Sequence, residues 1–318
     1  MGTLYNQLTL DERYQIQALN KLSFSAREIA RRLNRSNKTI SKELRRSPTG
    51  TYCAKAAHHN ADLTKRTATK KHKRTADIIQ LIDWLLGFDM TPEQIAGRMK
   101  LEEFTQSVSR QSIYRYIAFK QWRHRLPRKG KRYRQRKGAE AGVHLIPDRV
   151  DIDERPIIVN ENSEVGHWEG DTVYGQDGYF VTLVERVSKV FLTMKVKNKT
   201  KKLVSLAIRK LLKPYKKMCH TITFDNGGEF ADHKAIARAL KCKIYFAKPY
   251  HSWQRGLNEN TNGLLRRYYP KGVKIGALSK QQVAQVQFTI NMRPRKALNY
   301  LSPYEFLAGK RVSLMLCI

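Results

Sequence analysis

The sequence predicts a multidomain chain, with all-α helix-turn-helix units at the N-terminus followed by an α/β domain that carries a catalytic centre. Three observations predict it. Capped helical patterns with a 3.6-residue apolar period recur over residues 9–46 and 78–117, and period-two apolar runs begin only after residue 165. The formal charge is +34 over 318 residues. Three carboxylates, Asp171, Asp225 and Glu259, stand in turn-rich settings at a strand, a strand end and a helix opening.

The charge bounds the partner. Residues 1–150 carry 32 Lys and Arg against 13 Asp and Glu, and the remainder carries 29 against 14. A field of this size attracts polyanions, nucleic acid first, and its spread implies that both halves touch the partner. A ribosomal or chromatin-like packing protein is a poor fit, because 41% apolar residues with 15 Tyr, 11 Phe and 4 Trp supply a folded core. Cys53, Cys219, Cys242 and Cys317 form no C-x-x-C pair, which predicts free thiols in a reducing cytoplasm. The best apolar run, residues 78–88, is short and broken by Asp83, so no membrane span is expected. The first residues lack a signal-peptide pattern. The expectation is a soluble cytoplasmic protein.

Residues 1–50 read as a helix-turn-helix domain. Thr9-Leu10-Asp11-Glu12 is a capping box opening a helix with Ile16, Leu19 and Leu22 inward. Ser25-Ala26-Arg27-Glu28 is a second, followed by Ile29, Ala30 and Leu33 on one face. Ser36 caps a third helix that buries Ile40 and Leu44 and presents Asn37, Lys38, Ser41, Lys42 and Arg45. Asn reads adenine edges, Lys and Arg read guanine, and their neighbours hold phosphates. A plain three-helix bundle with a solvated basic face is the bland alternative.

Residues 51–120 form a second helical region. From Lys55 to Arg74 the composition fits either a basic helix or a linker. Ile78, Ile79, Ile82, Leu85 and Leu86 then make an apolar face. Thr91-Pro92-Glu93-Gln94 places Thr at the N-cap and Pro at the first helical position, and Ile95, Ala96 and Met99 continue that helix. Ser109 opens another with Ile113, Tyr116 and Ile117 inward and Arg110, Gln111, Tyr114 and Arg115 outward. The pattern fits a second helix-turn-helix or a helical spacer. Residues 121–160 are a basic arm and linker; its densest run, 120–137, includes Arg128 and Arg132 and has no apolar period. Such an arm tracks phosphates and makes affinity steeply salt dependent.

Residues 161–318 change period. Strands are predicted at 171–174, 179–184 and 190–196, with Gly175 and Gly178 in the first turn. A helix follows at 202–212 with Leu203, Leu206, Ala207 and Leu211 on its apolar face, then a strand at 221–224, a helix at 232–240, a strand at 244–247 and the helix carrying Glu259. This order is that of a ribonuclease H-like α/β fold. Ser279-Lys280-Gln281-Gln282 caps a last helix that buries Val283, Val286 and Ile290.

Phosphodiester attack needs an activated oxygen nucleophile and neutralisation of the charge that gathers in flight, and two Mg²⁺ ions held by carboxylates do both. Any one of these acids has an ordinary reading: Asp225-Asn226-Gly227-Gly228 is a sound Asx turn, and Glu259 a sound exposed helix charge. The three together, in this strand order and this basic chain, point to metal-dependent DNA chemistry.

At this point the chain resembles a family, the D-D-E transposases of the bacterial insertion-sequence family numbered thirty, with a catalytic domain of the retroviral-integrase type. The resemblance covers nearly the whole chain. It rests on the first helix-turn-helix and on Val150-Asp151-Ile152-Asp153-Glu154-Arg155-Pro156, His167-Trp168-Glu169-Gly170-Asp171 and Phe224-Asp225-Asn226-Gly227 with Glu229-Phe230. Gln254-Arg255-Gly256 through Glu259-Asn260-Thr261-Asn262-Gly263, Asn291-Met292-Arg293-Pro294-Arg295 and Ser302-Pro303-Tyr304-Glu305 complete it, as do the 33 residues between Asp225 and Glu259. Leu257 and Met292 depart from it, standing where polar residues are expected. The resemblance implies a transposase that binds the terminal inverted repeats of its element, cuts there by metal-dependent hydrolysis and joins the freed 3′-hydroxyl to target DNA. It implies Asp171, Asp225 and Glu259 as ligands of two Mg²⁺ ions, with Mn²⁺ as substitute, and a dimer or larger assembly on double-stranded DNA at the bacterial nucleoid. Asn262 and Arg266 share the helix face of Glu259 and are candidates to position the scissile phosphate; Arg255, Arg267, Lys271 and Lys274 are candidate strand contacts.

Three rivals stay open on sequence alone. A DNA-binding regulator with a vestigial catalytic half has no need of three clustered carboxylates. A tyrosine recombinase needs an Arg/His cluster around a nucleophilic Tyr, and His251 and Arg255 are too isolated for that. A nuclease of the same fold differs only in making no strand-transfer product.

Overall fold

The structure is a computed structural model that describes residues 7–46, 50–67, 75–104, 107–126, 146–249 and 251–313. It divides into two compact units, Met1–His72 and Lys73–Ile318.

In the first unit, helices α1 (Leu10–Lys21), α2 (Ala26–Arg32), α3 (Asn37–Leu44) and α4 (Ala54–Thr67) enclose Ile16, Ile29 and Ile40, which are fully buried. The stretch from Lys55 is therefore helix as far as Thr67, and Ala54 and Ala57 of α4 belong to this core. Thr9 forms its reciprocal capping box with Glu12. Ser25 accepts the Glu28 N–H, but Glu28 turns to Arg31 and Arg32 at 2.7 and 3.3 Å instead of back to the cap. Leu22 is not inward; it caps α1 and is 70% exposed. Arg13 and Glu43, unremarked in the sequence, form a buried ion pair at 2.6 Å between α1 and α3.

The second unit begins with α5 (Ala76–Gly87), α6 (Pro92–Leu101) and α7 (Arg110–Phe119), which close on an apolar cluster of their own around Ile82, Leu85, Ile95, Met99 and Ile113. The Thr91 box forms with Gln94 as its spacing predicts. A short helix α8 (Ile157–Glu161) stands in what reads as connector. The sheet follows: β1 (His167–Tyr174), β2 (Tyr179–Glu185), β3 (Phe191–Val196), helix α9 (Lys201–Leu212), β4 (Thr221–Phe224), helix α10 (His233–Leu240) and β5 (Lys243–Phe246). The spatial order is β3-β2-β1-β4-β5, with β1, β2 and β3 antiparallel and β4 and β5 parallel to β1.

Helices α9 and α10 share one core with Trp168, Leu183, Ile222 and Phe224. Helices α11 (Gly256–Tyr268) and α12 (Lys280–Met292) share the other with Val173, Phe180, Val184 and Phe191, and α13 (Pro303–Ala308) follows. The sheet is thus covered on both faces. The buried stripe of α9 is Val204, Ala207, Ile208 and Leu212, whereas Leu203 and Leu206 are 37% and 40% exposed. The predicted apolar face is rotated by about one position, toward Val204 and Ile208. Leu257, a departure from the family pattern, packs against the α11–α12 core.

Candidate active site

Strand pairing assembles the acidic centre. β1 and β4 run parallel with His167 beside Thr221, Trp168 beside Ile222 and Glu169 beside Thr223, a constant offset of 54 positions. Carried two residues further, that offset sets Asp171 beside Asp225, on the same face because side chains alternate along a strand. Asp225 lies one residue past β4, where its Oδ1 accepts the Gly227 N–H at 3.0 Å. The Asx turn and the site carboxylate are one and the same residue.

A cation already lies between the pair. Arg255, 13% exposed at its side chain, donates from Nη2 to Asp225 Oδ2 at 2.8 Å and from Nη1 to the Gly170 carbonyl at 2.9 Å, with Nη1 3.9 Å from Asp171 Oδ1. Asn262 Nδ2 donates to Asp171 Oδ2 at 2.9 Å. Burial pushes the Asp171 carboxyl up to about 6; Asp225 and Glu229 add to the rise, while Arg255 and the Thr172 N–H oppose it. Glu259 opens α11 on the helix face of Asn262, three residues earlier, and is exposed.

Two further carboxylates went unread as site residues. Glu169, 1% exposed, accepts the Asn258 N–H at 3.1 Å on Oε2 and Arg186 on Oε1. It ties the first turn of α11 to β1, a favourable place for a negative charge. Glu229 accepts the Thr172 hydroxyl at 2.8 Å and has Lys199 at 3.9 Å. A Cβ at Gly227 would lie 2.5 Å from Glu229 Oε2 and 3.0 Å from Asp225 Oδ1, so a side chain there would push the Glu229 carboxylate aside. The Glu at Asp-Asn-Gly-Gly-Glu is the one local signal for it.

The donor set suits a hard divalent cation. Asp171 and Asp225 supply carboxylate oxygens, the guanidinium of Arg255 marks where positive charge is balanced, and the buried Asn262 Oδ1 has no hydrogen-bond partner. Among the described residues no three His, Cys, Asp or Glu side chains form a ready metal cluster: Glu259 is not drawn in.

Relatives decide the family. A helix-turn-helix domain matches residues 5–47 and an integrase core domain matches residues 161–252. The transposase for insertion sequence element IS4351 of Bacteroides fragilis is 38% identical, over 94% of this chain and 94% of its own length. Transposase InsI for element IS30C of Escherichia coli K12 is 32% identical, over 94% of this chain and 83% of its own. The chain belongs to the IS30 family of insertion-sequence transposases.

As a transposase it is a DNA-binding enzyme that cleaves DNA, and the chemistry of its integrase core depends on divalent metal. Among the described residues no helix is long and apolar enough to cross a membrane, and Cys53, Cys219 and Cys242 are free thiols. The other sequence-predicted residues of the transposase lie on several elements. Asn37, Lys38, Lys42 and Arg45 are exposed on α3, with Ser41 half-buried and donating to Asn37 at 3.4 Å. Arg110, Gln111, Tyr114 and Arg115 are exposed on α7, Arg110 lying 3.5 Å from Glu93. Arg266 and Lys271 cover the Tyr174 ring at 4.8 and 5.3 Å, beside the end of β1. Arg267 turns instead to Asp89 at 3.7 Å, and Lys274 is exposed. Arg128 and Arg132 lie outside the described residues.

Proposed function

We propose that Asp171, Asp225 and Glu259 are the D-D-E residues of this transposase and hold two Mg²⁺ ions, for which Mn²⁺ substitutes. Bound there, the ions supply Lewis-acid neutralisation of the charge on the attacked phosphate and lower the proton affinity of the attacking water or 3′-hydroxyl. The protein's own share is positioning. Glu169 and Arg186 hold α11 against β1, Asn262 orients Asp171, and Arg266 stands by for the phosphate. The observation that carries this reading is the 54-position offset that sets Asp171 beside Asp225, with Arg255 shared between them.

The substrate is double-stranded DNA: the terminal inverted repeats of the element, read by α3 through Asn37, Lys38, Ser41, Lys42 and Arg45, with Arg110, Gln111 and Arg115 of α7 and the arm residues Arg128 and Arg132 adding contacts. The reaction is hydrolysis at the element ends followed by transfer of the 3′-hydroxyl to target DNA. Joining two ends calls for a dimer or larger assembly on DNA, at the bacterial nucleoid.

The test uses a labelled duplex bearing the inverted repeat that flanks the gene, a supercoiled plasmid, and Mg²⁺ or EDTA. Mg²⁺-dependent cleaved ends and label joined to plasmid are expected, with Glu259→Gln binding the duplex but giving neither product. An intact protein that binds yet neither cuts nor joins in Mg²⁺ or Mn²⁺ would be a regulator, and the reading would fall.

A further inference from the structure

The helical bundle of α5–α7 meets the catalytic body through a buried ion pair as well as through apolar side chains. Its apolar cluster shares no member with the two that flank the sheet. At the junction a groove is lined by Trp84, Phe88, Phe288 and Met292, with Arg98 and Glu305 in its wall. What fills the contact is Arg98 of α6. Its guanidinium grips Glu305 of α13 with both nitrogens, at 2.6 and 2.5 Å, and its Nε donates to Glu102 at 2.5 Å; all three side chains are 3% exposed. The same guanidinium donates to the Tyr300 carbonyl at 3.2 Å and to that of Val312. Around it, Gln94 Nε2 donates to the Pro294 carbonyl at 2.8 Å, and Gly97 lies so close to the Tyr300 ring that a Cβ would come within 2.2 Å. Asp89 faces Arg267 at 3.7 Å, on the helix that carries Glu259.

A buried, bidentate ion pair adds little net stability, since desolvation offsets most of the attraction, but it accepts only one relative orientation of its partners. An apolar seam tolerates sliding; a planar fork held by five acceptors does not. We propose that Arg98 is a positioning residue that fixes α7 at one distance from the Asp171–Asp225 pair and so sets which phosphodiester of a bound DNA end is cut. This rests on the reading of α7's outer face, Arg110, Gln111 and Arg115, as a DNA contact.

The experiment maps cleavage positions on a labelled terminal-repeat duplex at nucleotide resolution, with full-length protein. For Arg98→Met, duplex affinity should stay close to that of the parent. The ratio of cuts at the parental position to cuts at its neighbours should fall roughly ten- to hundredfold, the cost of an ångström-scale misplacement. Gln94→Ala, which removes the bond to the Pro294 carbonyl together with the Thr91 cap but leaves the ion pair intact, is the milder variant if Arg98→Met does not fold, and should blur the same ratio to a smaller degree. A folded variant that cuts at the parental position with undiminished precision overturns the proposal. An Arg110→Ala, Arg115→Ala double variant separates the two claims. If it binds the duplex as tightly as the parent, the α7 reading fails. If it loses affinity while the joint variants keep their precision, the joint alone fails.

Discussion

Replacing Glu169 by Gln removes one charge and changes no shape, which makes it a sharp probe of how α11 is held. The carboxylate accepts from the Asn258 N–H on one oxygen and from Arg186 on the other, at a position 1% exposed. A Gln amide has one acceptor, so its NH₂ must face either the backbone donor or the guanidinium. A hydrogen bond to a charged group contributes about 1.5–3 kcal/mol, and breaking a buried pair costs about 3–5 kcal/mol. Arg186 keeps a second bond to the Val159 carbonyl and is 13% exposed, so the lower end applies. The expected loss is about 3 kcal/mol. Urea unfolding followed by tryptophan fluorescence suits the measurement, because Trp84, Trp122, Trp168 and Trp253 all lie in the unit Lys73–Ile318 and none in the other. Metal-dependent end cleavage should fall with it, since Glu259 is the next residue after the tethered Asn258, while duplex binding persists. A destabilisation under about 1 kcal/mol with undiminished cleavage would refute the tether, because even one lost charged bond should exceed it.

Arg255→Gln should tighten Mn²⁺ binding to the DNA-free protein about tenfold, or about 1.4 kcal/mol, by removing the cation held between the aspartates; calorimetry showing equal or weaker binding would rule that competition out. Arg98 holds the Glu305 carboxyl below the ordinary glutamate range despite the opposing effect of burial, helped by the Ser302 and Val312 N–H groups. Its contribution to stability is therefore present above the unfolded value of about 4.3 and lost as pH falls through the folded one. Glu305→Gln should flatten that acid limb of an unfolding-midpoint profile, and an unchanged limb would place the loss elsewhere. Gly97→Ala should cost about 1–3 kcal/mol by overpacking against Tyr300, and Tyr300→Ala should recover part of that in thermal unfolding; equal stability of Gly97→Ala and the parent would show that the ring yields freely.

Local chemistry was readable where the responsible residues are neighbours in sequence. Thr9 with Glu12, Thr91 with Gln94 and Ser279 with Gln282 close their boxes across three positions, and the β4 run is bounded by Asp225 itself. The acidic pair was nameable from its turn settings, but its juxtaposition depends on the pairing of β1 with β4, which no short window encodes. Arg255 looked like a strand contact because nothing near it in sequence says that it folds back on Asp225. Glu229 and Glu169 stood only as members of their motifs, since the Thr172 hydroxyl and the Asn258 N–H that they accept come from 57 and 89 positions away. The Arg98–Glu305 pair joins residues 207 apart, so neither side chain carries a signal of the other. The error over Leu203 and Leu206 has the reverse origin: the period was right and the phase was settled by the sheet.

The offset between β1 and β4 also governs where this chain can change length. Strand side chains alternate with a period of two, so one residue inserted within β4 would bring Phe224 into the place of Asp225, an apolar ring facing Asp171, and turn Asp225 to the face on which Phe224 packs with Phe230 and Phe246. The β2–β3 hairpin and α9, which intervene between the two strands, bear no such constraint at the turns that join them. Insertions and deletions should therefore be tolerated near residues 197–200 and rejected across 221–225, a pattern that a library of single-codon insertions would display directly.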